Sequence, residues 1–262
     1  MKTTSKTRKW LVEVLFVGMA IFCLPLLSIA ADTDISLGLG VAAVPDYEGS
    51  DDYEAVPIPY VSVTWESGRF IRLSGNRLGA NILAGGTWQF GPVLQFRSKR
   101  DDDVDNSAVS KLRKVDNAVE AGAFVGFKAS NWDISAQVVN DVSDEHEGML
   151  ATAKAGYTME SGNFSTRVGL SSTYADDDYM DTYFSIDADN AARSGLSTYS
   201  ADSGIKDVGI DLNMRLRMSD SWEVMGLLGY TKLLNDAKDS PIVDQEGDDN
   251  QFMAGLTVIY NF

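Results

Sequence analysis

His146 is the one histidine of the 262-residue chain, and it stands among the acids Asp144, Glu145 and Glu147. A histidine beside carboxylates could act as a general base, so a hydrolase is one class to weigh. That chemistry needs partners, and residues 32–262 contain no Gly-x-Ser-x-Gly elbow, no His-Glu-x-x-His motif and no cysteine. The sequence therefore predicts a structural or surface role for His146, a protein that is not an enzyme, and no cofactor.

Acidic residues at Asp101, Asp103 and Asp105 match the first three ligand positions of a calcium-binding loop. Asn106 stands where that loop needs a turn glycine, and Leu112 stands where it needs the closing glutamate. We therefore interpret this stretch as a solvated loop, and the sequence predicts no metal site.

Charged residues also alternate with apolar ones, most clearly from Ile205 to Met218. Successive side chains of a strand point to opposite faces, so this pattern predicts a strand with one apolar face and one charged face. Mid-strand charges of this kind would line the lumen of a barrel, where pairs such as Asp211 with Arg215 would form ion pairs. The predicted lumen charges are Lys154, Arg167, Asp207, Asp211, Arg215 and Arg217.

Similar alternating runs, separated by short turns or acidic loops, cover most of the chain. They span residues 34–44, 56–65, 69–83, 87–97, 119–128, 132–142, 149–158, 164–174, 180–186, 205–218, 222–230 and 251–262. The run 69–83 is interrupted near Gly75 and Asn76; counted once it gives twelve strands, and counted twice it gives thirteen. An antiparallel barrel with both termini at one end disfavours thirteen. Residues 187–193 could form a short helical turn inside a loop.

Alternation alone does not prove a membrane protein, because a soluble barrel or sandwich has the same period with its apolar face inward. Aromatic residues on the apolar face near the ends of the runs indicate the two water interfaces of a membrane barrel. They are Trp132, Tyr157, Phe164, Tyr174, Trp222, Tyr230, Tyr260 and Phe262. The sequence therefore predicts an all-β protein, an antiparallel transmembrane barrel of about twelve strands.

The final residues, QFMAGLTVIYNF, alternate without a break and end on an aromatic. This strand resembles the assembly signal of bacterial outer-membrane barrels, with Tyr260 and Phe262 as its aromatic positions. The resemblance implies that the barrel-assembly machinery is a partner during insertion, and that the partners of the finished barrel include outer-membrane lipid and lipopolysaccharide.

Residues 1–31 have the layout of a secretory signal peptide, with a basic start, an apolar run over residues 10–27 and small residues up to Ala31. A permanent membrane helix is the alternative, because the run is near the length that spans a bilayer. Glu13 inside the run and the small-residue exit favour cleavage. We therefore expect a signal peptide over 1–31, one barrel domain over 32–262, and a location in the cell outer membrane.

Composition narrows the partners further. The net charge is −16, and phosphate binding needs clustered Lys and Arg, so nucleic acid is excluded as a partner. The single cysteine, Cys23, falls within the predicted signal peptide, so the barrel domain is expected to fold without disulfides.

Two segments resemble the signature regions of the MipA/OmpV family: residues 45–60, PDYEGSDDYEAVPIPY, and residues 233–243, LLNDAKDSPIV. Asn235 stands where the family has a glycine, and asparagine also accepts a left-handed backbone. The signature residues are Pro45, Tyr47, Gly49, Ser50, Pro57, Pro59, Asp236, Asp239, Ser240 and Pro241. As residue types, these suit turns and ordered loops, and a direct contact with a partner is the alternative.

The resemblance implies a non-enzymatic outer-membrane scaffold that links two peptidoglycan-remodelling enzymes, a lytic transglycosylase and a penicillin-binding protein. Two other functions stay open from the residues. The barrel could be a small solute channel whose lumen charges set selectivity, or a surface adhesin or antigen that binds through its long loops.

Overall fold

The computed structural model describes residues 33–262, and the predicted signal peptide lies outside the described residues. Within the described part, twelve strands close into one antiparallel barrel in which β1 pairs with β12 and the other strands follow in chain order. The strands are β1 (Thr33–Pro45), β2 (Tyr53–Trp65), β3 (Phe70–Ser74), β4 (Arg77–Asn81), β5 (Trp88–Arg97), β6 (Ala118–Ala129), β7 (Trp132–Asp141), β8 (Met149–Ser161), β9 (Phe164–Ala175), β10 (Gly204–Arg217), β11 (Trp222–Leu233) and β12 (Asn250–Asn261).

Side chains that alternate along each strand point alternately into the lumen and out of the barrel. Leu39, Leu170, Phe252 and Leu256 point outward, and more than half of the surface of each is exposed. A wall of exposed apolar side chains on a closed antiparallel sheet is what a hydrocarbon environment requires. The exterior is therefore a lipid-facing surface.

The two ends of the barrel differ. The end that carries both termini of the sheet, here called the turn end, has the short connections, and outward aromatic pairs surround it. The ring centroids are 4.9 Å apart for Trp88 and Phe127, 4.8 Å for Trp132 and Tyr157, and 5.0 Å for Trp222 and Tyr260. Aromatic belts of this kind mark a membrane–water interface, and outer-membrane barrels face their short turns to the periplasm.

The opposite end, here called the loop end, carries the long connections. Four short helices and a 3₁₀ turn (Val109–Lys111) lie in them. The helices are α1 (Asp177–Phe184), α2 (Ala188–Ser194), α3 (Asn235–Asp239) and α4 (Pro241–Asp244). Within residues 33–262 no helix has the length and apolar character needed to cross a bilayer. We call the five connections together the cap; they are residues 46–52, 98–117, 142–148, 176–203 and 234–249.

Two errors in the predicted strands cancel. The run 69–83 is two strands, β3 and β4, and the run 180–186 is not a strand, because most of it belongs to helix α1. The Asp176 side chain caps that helix by accepting a hydrogen bond from the backbone N–H of Tyr179 at 3.1 Å. The total of twelve strands is therefore confirmed, although the predicted strand 180–186 was wrong and the run 69–83 contains two strands.

Two local predictions agree with the structure. The expected helical turn over residues 187–193 is α2, which Asp187 caps at its start and Gly195, in the left-handed region at φ 85°, ends. Asn235 has a φ of 50°, so asparagine does supply the left-handed backbone that the turn needs.

The hairpin β3–β4 is short, and it leaves the part of β2 nearest the loop end without a paired strand on one side. The pairing of β2 with β3 covers Tyr60 to Thr64, and the Gly75 N–H at the hairpin tip donates to the Pro59 carbonyl at 2.9 Å. Pro57 lies two residues further along the same edge, beyond the tip. Prolines suit this edge because no neighbouring strand requires their missing N–H groups.

Candidate functional site

The cap closes the lumen at the loop end with a packed apolar layer. On α1, Tyr179 and Phe184 have no exposed surface, and Met180 is 2% exposed. They pack with inward side chains from the upper barrel wall, including Phe124 and Leu233. Large side chains that are buried this completely form a water-excluding layer.

The two signature regions meet inside the cap. The Gly49 N–H donates to the Gln251 side chain at 3.1 Å, and the Gly49 carbonyl accepts from the Asp248 N–H at 2.9 Å. Gly49 has a φ of 96°, and a Cβ there would overlap the Val243 side chain, so only glycine fits. The Tyr47 hydroxyl donates to the Glu246 carbonyl at 3.3 Å. These contacts tie loop 46–52 to loop 234–249.

The remaining signature residues divide between the cap and the strand ends. Ser240 is fully buried, and its hydroxyl donates to the Phe184 carbonyl on α1 at 2.6 Å. Asp236 accepts hydrogen bonds from the Asp202 N–H at 2.8 Å and, through its carbonyl, from the Tyr199 hydroxyl at 3.0 Å. The carbonyl of the fully buried Ser50 accepts a hydrogen bond from the Gln251 side-chain amide at 3.1 Å. Pro45 lies at the end of β1, Pro241 is the first residue of α4, and Asp239 lies on the surface.

A layer of buried charges lies directly below the cap. The Lys206 ammonium pairs with Glu48 and, at 2.5 Å, with Asp207, and its side chain is only 4% exposed. The Tyr179 hydroxyl donates to the Glu48 carboxylate at 2.6 Å. Burial by itself would raise the pKa of Glu48, but the charges of Lys206 and Arg97 outweigh burial and lower that pKa. Burial raises the pKa of Tyr179 well above its ordinary value.

The sequence pattern predicted Asp207 as a lumen charge and did not predict Lys206. The pairing of β10 with β9 shifts register between Ile205 and Asp207, and this bulge turns both Lys206 and Asp207 inward. A strict two-residue period assigns neighbouring residues to opposite faces, so it cannot predict such a bulge.

His146 is a buried part of the cap. Its Nδ1 accepts a hydrogen bond from the Gly148 N–H at 3.1 Å, and its Nε2 lies 3.3 Å from a Glu120 oxygen. The ring packs edge-on against Tyr179 with centroids 5.2 Å apart. Its side chain has no exposed surface, so in this arrangement the imidazole cannot reach a substrate. The predicted structural role agrees with this geometry, whereas a surface position does not.

Below the charged layer, Arg167 forms the best-defined ion cluster of the lumen. Its guanidinium donates to both oxygens of Asp133, at 2.8 and 2.7 Å, and to Asp211 at 3.0 Å. It lies flat across Gly156 and Gly169, where a Cβ on either residue would overlap the guanidinium. The two glycines therefore provide the space that this cluster occupies.

The expected pair of Asp211 with Arg215 does not form. Arg215 pairs instead with Glu223 on the neighbouring strand β11, at 2.8 Å. Residues four apart on one strand are about 13 Å apart, so ion pairs in a barrel join adjacent strands. Arg217 is exposed at the turn end of β10.

Lys154 extends into the lumen from β8 and is exposed to solvent. Besides Arg97 and Lys206 in the charged layer, three further lumen cations were not predicted: Arg72, Arg77 and Lys128. The Arg77 Nε donates to Gln137 at 3.0 Å, and the Arg72 Nε donates to Ser62 at 3.3 Å. Arg72 and Arg77 lie on the two short strands that the sequence pattern merged into one run, which is why their facing was not assigned.

The acidic loop 98–117 is held by local ion pairs. Asp101 pairs with Lys99, and Asp102 pairs with Lys114 at 2.6 Å. Over residues 33–262, no group of three or more histidine, cysteine or carboxylate side chains is placed to hold a metal ion.

The outer wall of the barrel carries an apolar groove of about 560 Å³. Ala43, Tyr53, Phe252 and other lipid-facing residues line it.

A model of the family described as MltA-interacting protein MipA matches residues 37–262, from β1 to the end of the chain. The chain belongs to the MipA family. The matched residues include almost the whole barrel, every cap loop and both signature regions.

Three relatives are similar to this chain along most of its length. YiaT of Escherichia coli (strain K12) is 25% identical over 232 residues, which cover 87% of this chain and 92% of YiaT. The outer membrane protein OmpV of Vibrio cholerae serotype O1 is 27% identical over 198 residues, 75% of this chain and 72% of OmpV. The MltA-interacting protein of Escherichia coli (strain K12) is 22% identical over 223 residues, 82% of this chain and 86% of that protein. The protein is accordingly an outer-membrane β-barrel.

Solved structures similar to this chain include two from the bacterial outer membrane. A bacterial polysaccharide outer membrane secretin is 9% identical, with a TM-score of 0.48, and the match covers 87% of this chain and 98% of that one. An outer membrane channel from Pseudomonas putida F1 is 11% identical, with a TM-score of 0.44 and coverage of 89% and 97%.

Proposed function

We propose that this protein is a non-conducting scaffold of the outer membrane that docks peptidoglycan-remodelling enzymes at its turn end. The observation that carries this proposal is the cap, whose buried layer around Tyr179 and Phe184 closes the lumen at the loop end. A barrel closed in this way anchors a surface in the membrane without passing solutes. The turn end remains as the surface available to periplasmic partners.

The name of one relative supports the choice of partner. The MltA-interacting protein of Escherichia coli (strain K12) aligns with 82% of this chain, although only 22% of the aligned residues are identical. Partners transfer less well than folds between such distant relatives. The proposed partner class is a lytic transglycosylase, with a penicillin-binding protein as the second enzyme of the assembly.

Conductance in a planar bilayer tests the first half of the proposal. We expect the refolded full chain to be silent, and a variant with Tyr179→Ser and Phe184→Ser to show openings, because polar substitutions break up the apolar layer. The variant serves as a positive control for insertion. Steady, ion-selective openings of the unmodified protein would instead establish the solute channel.

Capture of a purified lytic transglycosylase tests the second half. Glu66 and Asp220 are exposed acids in turn-end connections, and Asp244 is an exposed acid on the cap. We expect the charge reversals Glu66→Lys and Asp220→Lys to weaken capture and the matched reversal Asp244→Lys to leave it unchanged. Capture that depends on Asp244 alone would move the docking surface to the cap and contradict the proposal.

A further inference from the structure

The lower lumen holds an excess of positive charge inside a strongly acidic protein. Apart from the Arg215–Glu223 pair, five cationic side chains from five strands face inward there, against the two carboxylates Asp133 and Asp211. The cations are Arg72, Arg77, Lys128, Lys154 and Arg167. The chain as a whole has a net charge of −16, so this concentration of cations is opposite in sign to the protein around it.

The two carboxylates are already engaged. Arg167 binds both Asp133 and Asp211, and within residues 33–262 none of the other four cations has a carboxylate oxygen within the 4.0 Å of an ion pair. The charges that act on Lys154 include those of Arg77 and Arg167 as well as Asp211. Those that act on Lys128 include Arg72 and Arg167 as well as Asp133. Like charges that share a partly buried space repel one another, so the set favours a negatively charged occupant.

Two of the guanidinium groups are held in place by neighbours that carry no charge. Arg72 lies 4.8 Å from the centroid of the Phe70 ring, and Arg77 lies 5.3 Å from that of Phe124. Arg77 also donates to Gln137 through Nε. Stacking on a ring and a bond through Nε leave the terminal nitrogens of a guanidinium available for a bidentate contact with an oxyanion.

The space is open to water from one side. Lys128 and Lys154 point into the lumen and are nevertheless exposed to solvent, while Tyr179 and Phe184 close the lumen above them. Solvent therefore reaches these ammonium groups from the turn end. Gly156 and Gly169 on the lumen wall leave the room that the Arg167 guanidinium takes up beside the chamber.

We infer that the lower lumen is an anion-binding chamber, entered from the turn end, that holds a small solute with several carboxylate or phosphate oxygens. Arginine forks match planar carboxylate and phosphate edges, and the lysines add mobile donors. The chamber binds its ligand and does not pass it, because the cap closes the far side. This inference does not depend on enzyme docking, and a barrel that failed to bind any transglycosylase could still hold the anion.

Calorimetry on the refolded full chain in detergent at low ionic strength tests the chamber, with inorganic phosphate and citrate as probes. We expect saturable binding that weakens as salt is added, since salt screens the cations. Arg77→Gln and Lys154→Gln should each weaken binding about tenfold or more, the usual loss for a hydrogen bond to a charged group. Lys232→Gln, which removes a cation at the loop end of β11, should leave binding unchanged.

Absence of saturable binding of both probes at low salt would overturn the inference, and so would equal binding by the three variants. A labelling experiment on the unmodified protein covers the case in which a lumen variant fails to fold. Phosphate should slow acylation of the Lys154 amine while the exposed Lys114 reacts as before. Equal protection of both lysines, or of neither, would also overturn it.

Discussion

Replacing Lys206 by methionine should loosen the cap, because its ammonium is the cation that two buried carboxylates share. Its side chain is 4% exposed, and those of Glu48 and Asp207 are 24% and 9% exposed. Methionine keeps most of the volume and removes the charge. Breaking a buried ion pair by removing one partner costs about 3–5 kcal/mol, a large part of the stability of a small structural unit.

The sign of the pH dependence distinguishes a lost charge from lost packing. In the unmodified protein the pKa of Glu48 lies below its ordinary 4.5, so its stabilising contribution is present above pH 4.5 and is lost as pH falls through the lowered pKa. Without Lys206, Glu48 loses the largest of the charges that lower its pKa while the effect of burial remains, so the pKa of Glu48 rises. The cap of the variant should therefore be more stable in mild acid than at neutral pH, the opposite of the unmodified protein.

Hydrogen exchange at the backbone amides of α1, followed by mass spectrometry at several pH values, measures cap opening directly. Lys232→Met is the matched control, because Lys232 pairs with Asp249 at 2.6 Å but is 33% exposed, where solvent screens the pair. We expect fast exchange in Lys206→Met and nearly unchanged exchange in the control. If exchange in Lys206→Met matched the unmodified protein, or slowed as pH rose, the buried-charge explanation of the cap would be wrong.

Three further outcomes are expected. Phe184→Ala, at a side chain with no exposed surface, should destabilise the cap by about 3–5 kcal/mol through the cavity it leaves, measured by the same exchange on α1. Gly156→Ala should displace the Arg167 guanidinium and cost about 1–3 kcal/mol in urea unfolding. Gly204→Ala, where an added Cβ meets no atom within 4 Å, should leave the lumen cluster unaffected. Burial raises the pKa of Tyr47 from 10.0 to about 12, so cap stability should hold below pH 10 and decline as pH rises through about 12. Tyrosinate absorbance follows the ionisation, and a decline in cap stability that began near neutral pH would contradict the prediction.

Much of the wall of this barrel could be predicted from the sequence. Alternation in the last strand, from Gln251 to Phe262, assigned each residue to a face, and the structure pairs that strand with β1 and β11. Strand direction and facing are local properties, because each residue turns its side chain by a fixed amount relative to the residue before it. The helix α1 was missed because the apolar residues at 180, 184 and 186 imitate a strand, and the capping by Asp176 was not recognised.

The chemistry of the interior depended on the tertiary structure. Lys206 and Glu48 are 158 residues apart in the chain, and a bulge in β10 is needed to turn Lys206 inward. Arg72 and Arg77 could be placed among the lumen cations only after the short hairpin β3–β4 was known. By itself, then, the sequence determined the closed sheet, its lipid-facing side and its family, because periodicity and motifs are local. Only the folded chain decided which charges are paired, which remain without a carboxylate, and that the cap closes one end, because electrostatic partners and packing depend on distances between residues far apart in sequence.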